Sequence, residues 1–328
     1  MSNRMLLKST IILAAAGIIS KFIGLLFRVP LIQMIGSQGF GLYYFPFQIY
    51  AVLVAVSING IPVVISKLVS EKLAVDKAEE AHRIFKVALV MLSIIGVIAS
   101  IALYFIGTRI LVGVFWPEET YYSLLALVFA PIFVAILAVF RGYFQGMQIM
   151  AAHSLSQILE SCGRLIIGLG MAYILVDFGI EYGAAGATFG ATAGAMVGMI
   201  SIIIYYLYKR KDIKKDFKEE IDYELQSKKE ILKIIFTMSI PISIGALAGT
   251  MMPFIDSLMI SKRLTLAGFT LEQATELYGN LGGCNTLINF PLMISLAIAT
   301  SLVPAIAHEN ANNNMLHVRS RINNGIRL

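Results

Sequence analysis

The sequence predicts an all-α polytopic membrane protein with about eight transmembrane helices, and three observations predict it. First, 58% of the 328 residues are apolar and 14% are charged, against about 25% charged in an average soluble domain. Second, eight apolar runs reach the roughly 20 residues that cross a bilayer: 10–35, 41–66, 84–107, 121–141, 153–176, 183–208, 232–261 and 278–307. Third, the connectors alternate in charge. Those after the second, fourth, sixth and eighth runs hold Lys67, Lys72, Lys77, Arg83, Lys86, Arg141, the lysines from Lys209 to Lys233, and Arg319, Arg321 and Arg327. The opposite connectors hold Arg109, Lys262 and Arg263. The net charge of +6 therefore reads as a topology signal rather than a nucleic-acid surface, and it places both ends in the cytoplasm.

The first run follows Arg4 and Lys8, with Ala14-Ala15-Ala16 in the position of a cleavage site. It continues past Lys21 to Ile35, too long for a secretory signal, so it reads as an uncleaved first helix. Residues 1–208 form a six-helix transmembrane lobe. Residues 209–231 are a cytoplasmic linker, and the wider connector 209–233 has Ile213, Phe217, Ile221 and Leu225 recurring every four residues, suited to a helix on the membrane surface. Residues 232–307 supply two further helices, and 308–328 are a basic cytoplasmic tail that reads as a loop leading onward, as in a fragment of a longer protein. A weak internal repeat supports this division. Leu42-Tyr43 opens the second run and Leu277-Tyr278 the eighth; Ile61-Pro62-Val63-Val64-Ile65-Ser66 closes the former and Val303-Pro304-Ala305-Ile306-Ala307 the latter.

Eight prolines, Pro30, Pro46, Pro62, Pro131, Pro241, Pro253, Pro291 and Pro304, lie in or beside apolar runs. Each removes a backbone donor, so kinked helices are expected there. The run Gly183–Gly198, GAAGATFGATAGAMVG, offers small-xxx-small spacing for close helix packing.

Charges at membrane depth carry the functional reading, because each costs about 3 kcal/mol to insert. Lys21 and Arg28 stand seven residues apart in the first run, close to two turns and on one face. A shared cationic face suggests a water-filled cavity that receives an anion, with Arg giving bidentate phosphate contacts and Lys a point charge. Snorkelling of Arg28 to the interface is the plainer alternative. Glu160 and Arg164 lie one turn apart in the fifth run; they form either a structural ion pair or part of that cavity, with Glu160 a candidate for titration. Asp256 is the lone acid of the seventh run, a candidate for Na⁺ or H⁺ coupling or a partner of Lys262 or Arg263. Asn59, Asn280, Asn285 and Asn289 read as interhelical hydrogen bonders. Cys162 and Cys284 read as buried small residues, and the four histidines form no cluster. The chain has no nucleotide-binding loop and no paired-carboxylate or Ser/His/Asp arrangement, so it reads as a non-enzyme with no cofactor.

Several motifs then carry a family resemblance. Ser20-Lys21-Phe22-Ile23-Gly24 with Arg28, Gly39-Phe40-Gly41-Leu42-Tyr43, and Asn59-Gly60-Ile61-Pro62 with Ser66-Lys67 resemble the stage V sporulation protein B family. So do Ile255-Asp256-Ser257-Leu258 with Arg263-Leu264, Leu277-Tyr278-Gly279, and Ala299-Thr300-Ser301-Leu302-Val303-Pro304-Ala305. That family belongs to the multidrug/oligosaccharidyl-lipid/polysaccharide exporter superfamily, with MurJ-type lipid II flippases among its relatives. The resemblance implies a MATE-like two-lobe transporter in the bacterial cytoplasmic membrane, of which this chain supplies the first six-helix lobe and two helices of the second. It implies a flippase for undecaprenyl-diphosphate-linked peptidoglycan precursor (lipid II) or polysaccharide units in cell-wall biogenesis or sporulation. Lys21, Arg28 and Arg164 would be the cavity cations, and Asp256 or Glu160 the coupling acid. The implied partners are the anionic lipid-linked glycan and membrane lipids, with oligomeric state left open between a monomer and larger forms. A multidrug or cation antiporter of the same superfamily and a non-transporting membrane scaffold are the alternatives.

Overall fold

The computed structural model describes residues 3–55, 60–215 and 225–288. The first helix, α1 (Asn3–Ala55), is broken at Gly36, whose backbone adopts φ 66° and ψ −179°. A side chain there would be strained, and glycine alone adopts this conformation freely. The break falls between the first two predicted spans, which are thus the two arms of one bent helix. The second span continues, beyond residues outside the description, as α2 (Ile61–Leu73).

Helix α3 (Ala78–Ala102) runs on into a π-helical segment, Leu103–Leu111. The predicted fourth span is two helices, α4 (Thr120–Leu127) and α5 (Ala130–Gly146). Pro131 and Pro62 occupy the first turns of α5 and α2, where no intrahelical donor is lost. They begin helices, whereas Pro30, Pro46, Pro241 and Pro253 lie inside α1 and the later helix α8. Then come α6 (Met150–Leu175), α7 (Ile180–Lys215) and α8 (Lys228–Leu266). A capping box opens α8: the backbone N–H of Lys229 donates to Ser227 Oγ, and that of Ser227 donates to Glu230 Oε2, both at 3.3 Å. Residues 271–288 form a further helix, α9.

Among the described residues, six helices are long and apolar enough to cross a membrane, the bent α1 counting once. The chain is an all-α polytopic membrane protein. Most of the eighth predicted span, the linker positions Phe217 and Ile221, Asn59, Asn289, Pro291, Pro304 and the basic tail lie outside the described residues. The first linker residues, up to Lys215, continue α7 instead of starting a separate helix, and Ile213 is buried.

Two buried clusters hold the bundle. One joins α1, α4, α7 and α9 through Phe27, Tyr43, Leu124, Ala187 and Tyr278; the other joins α2, α3, α5 and α8 through Ile65, Phe85, Tyr143 and Ile235. A close seam runs between α6 and α7, where Gly186, Gly190, Gly194 and Gly198 recur every four residues. A Cβ on Gly190 would lie 2.5 Å from Gly168 Cα, and one on Gly194 would lie 2.6 Å from the Glu160 carbonyl oxygen. The predicted small-residue run therefore brings the α6 backbone into contact with α7. In doing so it fixes the helix that carries Glu160 and Arg164.

Candidate functional site

A cavity of about 310 Å³ lies between the first arm of α1 and the first half of α6. From α1 it takes Ser20, Lys21, Gly24 and Arg28; from α6 it takes His153, Gln157, Glu160, Ser161 and Arg164. The α6 residues fall at helical intervals on one face. That polar stripe is sustained on a membrane helix because it faces an interior space rather than lipid. Lys21, Arg28, Glu160 and Arg164, expected from the sequence to serve a common cavity, are brought together.

Glu160 is the electrostatic centre. Its Oε2 accepts from Arg141 Nη2 at 2.9 Å, and its Oε1 accepts from Arg164 Nη2 at 3.3 Å. Arg141 also donates from Nε to Ser156 Oγ at 3.0 Å. Arg141 is a correction to the topological reading. It is not a connector cation but an interior residue of α5, 3% exposed. Helix α5 extends beyond it through Gly142 to Gly146, a segment carrying no charge. The polar intervals at 153, 157, 160 and 164 were the available signal for its partner face.

The two remaining arginine contacts reach across the cavity. Arg164 Nη2 also donates to the Tyr50 hydroxyl at 3.1 Å, and its guanidinium lies 5.5 Å from that ring's centre. Arg28 Nη1 donates to Thr286 Oγ1 of α9 at 2.7 Å, and its guanidinium lies 5.7 Å from the Phe47 ring centre. Both rings supply cation–π attraction. The Arg28 side chain turns inward to α9. Lys21 is exposed at the rim, with no ion pair among the described residues. Four cations and one carboxylate line the cavity, a surplus of three positive charges among its lysine, arginine and glutamate side chains. Arg164 Nε and His153 Nδ1 are buried without a hydrogen-bond partner among the described residues. A free arginine donor and surplus positive charge are the chemistry of an anion site.

A cluster of packed rings lies beside the cavity, and Phe27 and Tyr43 belong to both. Phe27 lies 5.9 Å from Tyr43, Tyr44 lies 5.2 Å from Tyr278, and Phe45 lies 4.1 Å from Tyr278 and 6.2 Å from Trp116. Tyr278, which the sequence sets against Tyr43, packs in this cluster against Tyr44 and Phe45. Asp256 does not join the cavity. It is exposed on α8 and forms no ion pair with Lys262 or Arg263 among the described residues. Lys262 instead lies 5.0 Å from the Phe115 ring centre.

Comparison with known proteins places these features in context. Residues 6–308 match the family described as "Polysaccharide biosynthesis protein". Stage V sporulation protein B of Bacillus subtilis (strain 168) is 30% identical over 329 residues, covering 100% of this chain and 63% of that protein. Lipid II flippase MurJ of the same organism is 25% identical over 180 residues, covering 52% of this chain and 33% of that protein. The chain spans less than two thirds of the length of the curated relatives it matches. Among solved structures, the inward-facing conformation of a multidrug resistance MATE family transporter of the MOP superfamily superposes with a TM-score of 0.67 at 15% identity. That superposition covers 100% of this chain and 70% of the other. At that identity the likeness shows the fold alone.

Proposed function

The chain belongs to the polysaccharide biosynthesis protein family, and we propose that it forms the anion-capturing part of a flippase for lipid-linked glycans. The substrate class is an undecaprenyl-diphosphate-linked unit, either a peptidoglycan precursor such as lipid II or a polysaccharide repeat. The observation that carries this reading is the surplus of positive charge around one cavity, with Arg28 and Arg164 on opposite walls. Its volume lies at the lower end of ligand cavities, about 300–1,000 Å³, which suits a diphosphate with its adjoining sugar. The same surplus repels cationic drugs and weighs against the antiporter alternative.

The cavity faces the half of the bundle that holds the basic connectors. Under the positive-inside rule this is the cytoplasmic half, where such precursors are loaded. Transport by alternating access then requires two movements. The ring cluster around Tyr278 opens on the far side, and the α1–α6 space narrows behind the head group. Gly36 supplies the pivot in α1. Arg28 holds Thr286 and exchanges that hydroxyl for a diphosphate oxygen. Glu160 keeps Arg141 and Arg164 oriented. Asp256 remains the candidate for Na⁺ or H⁺ coupling, through partners other than the cavity residues.

The test is binding of undecaprenyl diphosphate to the purified protein in detergent, followed by calorimetry. Arg28→Ala lowers affinity about tenfold or more, because charge-assisted bonds are worth about 1.5–3 kcal/mol. Arg28→Lys recovers part of the loss, since charge returns without the planar fork. Unchanged affinity in Arg28→Ala and Arg164→Ala would overturn the assignment.

A further inference from the structure

A second concavity, of about 490 Å³, runs between α3 and α8, away from the cationic cavity. Its two walls read in the same direction. Arg83 and Lys86 on α3 and Lys228 on α8 stand at one end. Val90 and Ile94 on α3, with Leu232 and Phe236 on α8, line the rest. Lys228, Leu232 and Phe236 are spaced four apart, as are Arg83 with Val87 and Val90 with Ile94, so each wall is a single helical stripe. At the charged end the helices are tied together by Glu80. It pairs with Lys72 Nζ at 2.9 Å and accepts from the Gln226 backbone N–H at 3.0 Å. Beyond that tie the groove is open: Val90 is 62% exposed and Ile94 55%.

We propose that this groove binds an acidic glycerophospholipid of the membrane, its phosphate held by Arg83, Lys86 and Lys228 and one acyl chain laid along α3 and α8. Charge complementarity supports the head group. None of the three cations has an ion pair among the described residues, and Arg83 Nε is buried without a hydrogen-bond partner there. Length supports the tail. The α3 wall from Arg83 to Ile95 rises about 18 Å at 1.5 Å per residue, close to one leaflet of a hydrocarbon core about 30 Å thick. A peptide would bring backbone donors and acceptors that these apolar walls leave unpaired. Under the positive-inside reading, the charged end lies at the cytoplasmic leaflet, where anionic lipids concentrate. The bound lipid bridges α3 to α8 at the point where Glu80 already joins them.

The chain contains one tryptophan, Trp116, so Trp116→Phe with Phe236→Trp leaves a single reporter inside the groove. The protein is reconstituted in phosphatidylcholine vesicles carrying increasing dibrominated phosphatidylglycerol or, separately, dibrominated phosphatidylcholine. Brominated phosphatidylglycerol quenches at a mole fraction at least about tenfold lower, because each basic residue near the surface attracts anionic lipid. Adding Arg83→Gln, Lys86→Gln and Lys228→Gln makes the two lipids equivalent. Lys86→Gln alone, at an exposed position, shifts the ratio part of the way and serves if the triple variant does not insert. Equal quenching in the unsubstituted groove, or selectivity that survives loss of all three cations, would overturn the proposal. So would reversal of the quenching by undecaprenyl phosphate at a tenth of the phosphatidylglycerol mole fraction, which would make the carrier lipid the occupant.

Discussion

The seam between α6 and α7 and the seam between α1 and α9 both depend on close backbone approach, but one is continuous and the other crosses a break. Along α6–α7, glycines from Gly186 to Gly198 face α6 through an unbroken helix. Along α1–α9, Gly41 meets Thr275 and Ser37 meets Gly279 on one side of Gly36; Ile32 meets Gly283 and Arg28 meets Thr286 on the other. Helix α9 therefore lies across the bend in α1, touching both arms. The first seam holds the charges, because Glu160 and Arg164 ride on α6. The second carries Arg28 and the ring cluster on a helix with a built-in pivot. The proposed transport cycle needs both: a rigid wall that keeps its ligands oriented, and a wall that moves.

The largest expected effect breaks the rigid wall. Gly190→Leu drives a side chain into the α6 backbone at Gly168, and no folded protein is recovered on size-exclusion chromatography in detergent. Glu160→Gln comes next. It leaves Arg141, 3% exposed, without its counter-charge, a defect worth about 3 kcal/mol for a buried pair. Chemical unfolding in detergent reads the loss, and Glu160→Leu combined with Arg141→Met recovers part of it. The moving wall is addressed by distances between spin labels, in a Cys162→Ser, Cys284→Ser background. Labels at Leu26→Cys and Leu287→Cys, both exposed positions of α1 and α9, give a broad or two-peaked distribution by pulsed electron resonance. Labels at Ile166→Cys and Ile204→Cys on α6 and α7 give one narrow peak. The smallest effect is Thr286→Val, which removes the hydroxyl held by Arg28. It costs about 1 kcal/mol and widens the α1–α9 distribution without altering that of α6–α7.

The sequence made this contrast only partly legible. Lys21, Arg28, Glu160 and Arg164 stood out because charge is rare at membrane depth, and the glycine run announced its seam through spacing alone. Arg141 escaped because an apolar run was taken to end at the first charge, whereas the helix continued through an uncharged Gly142–Gly146. His153 and Gln157 escaped because single polar residues carry no signal until they are counted at helical intervals with Glu160 and Arg164. Pro62 and Pro131 looked like kinks, since a proline at a helix start and one inside a helix are the same letter. That Thr286 is the partner of Arg28 depends on how α9 packs across Gly36, a tertiary contact 258 residues apart in sequence, which local pattern does not encode.

Lipid II exposure at the outer leaflet tests the central claim most directly. The measurement uses cells depleted of their own flippase and supplied with the complete gene product that carries this sequence or with its Arg28→Ala variant. Exposure restored by the protein and abolished by Arg28→Ala, at equal membrane abundance, is the predicted result. Equal exposure with both would contradict an anion-capturing cavity built around Arg28.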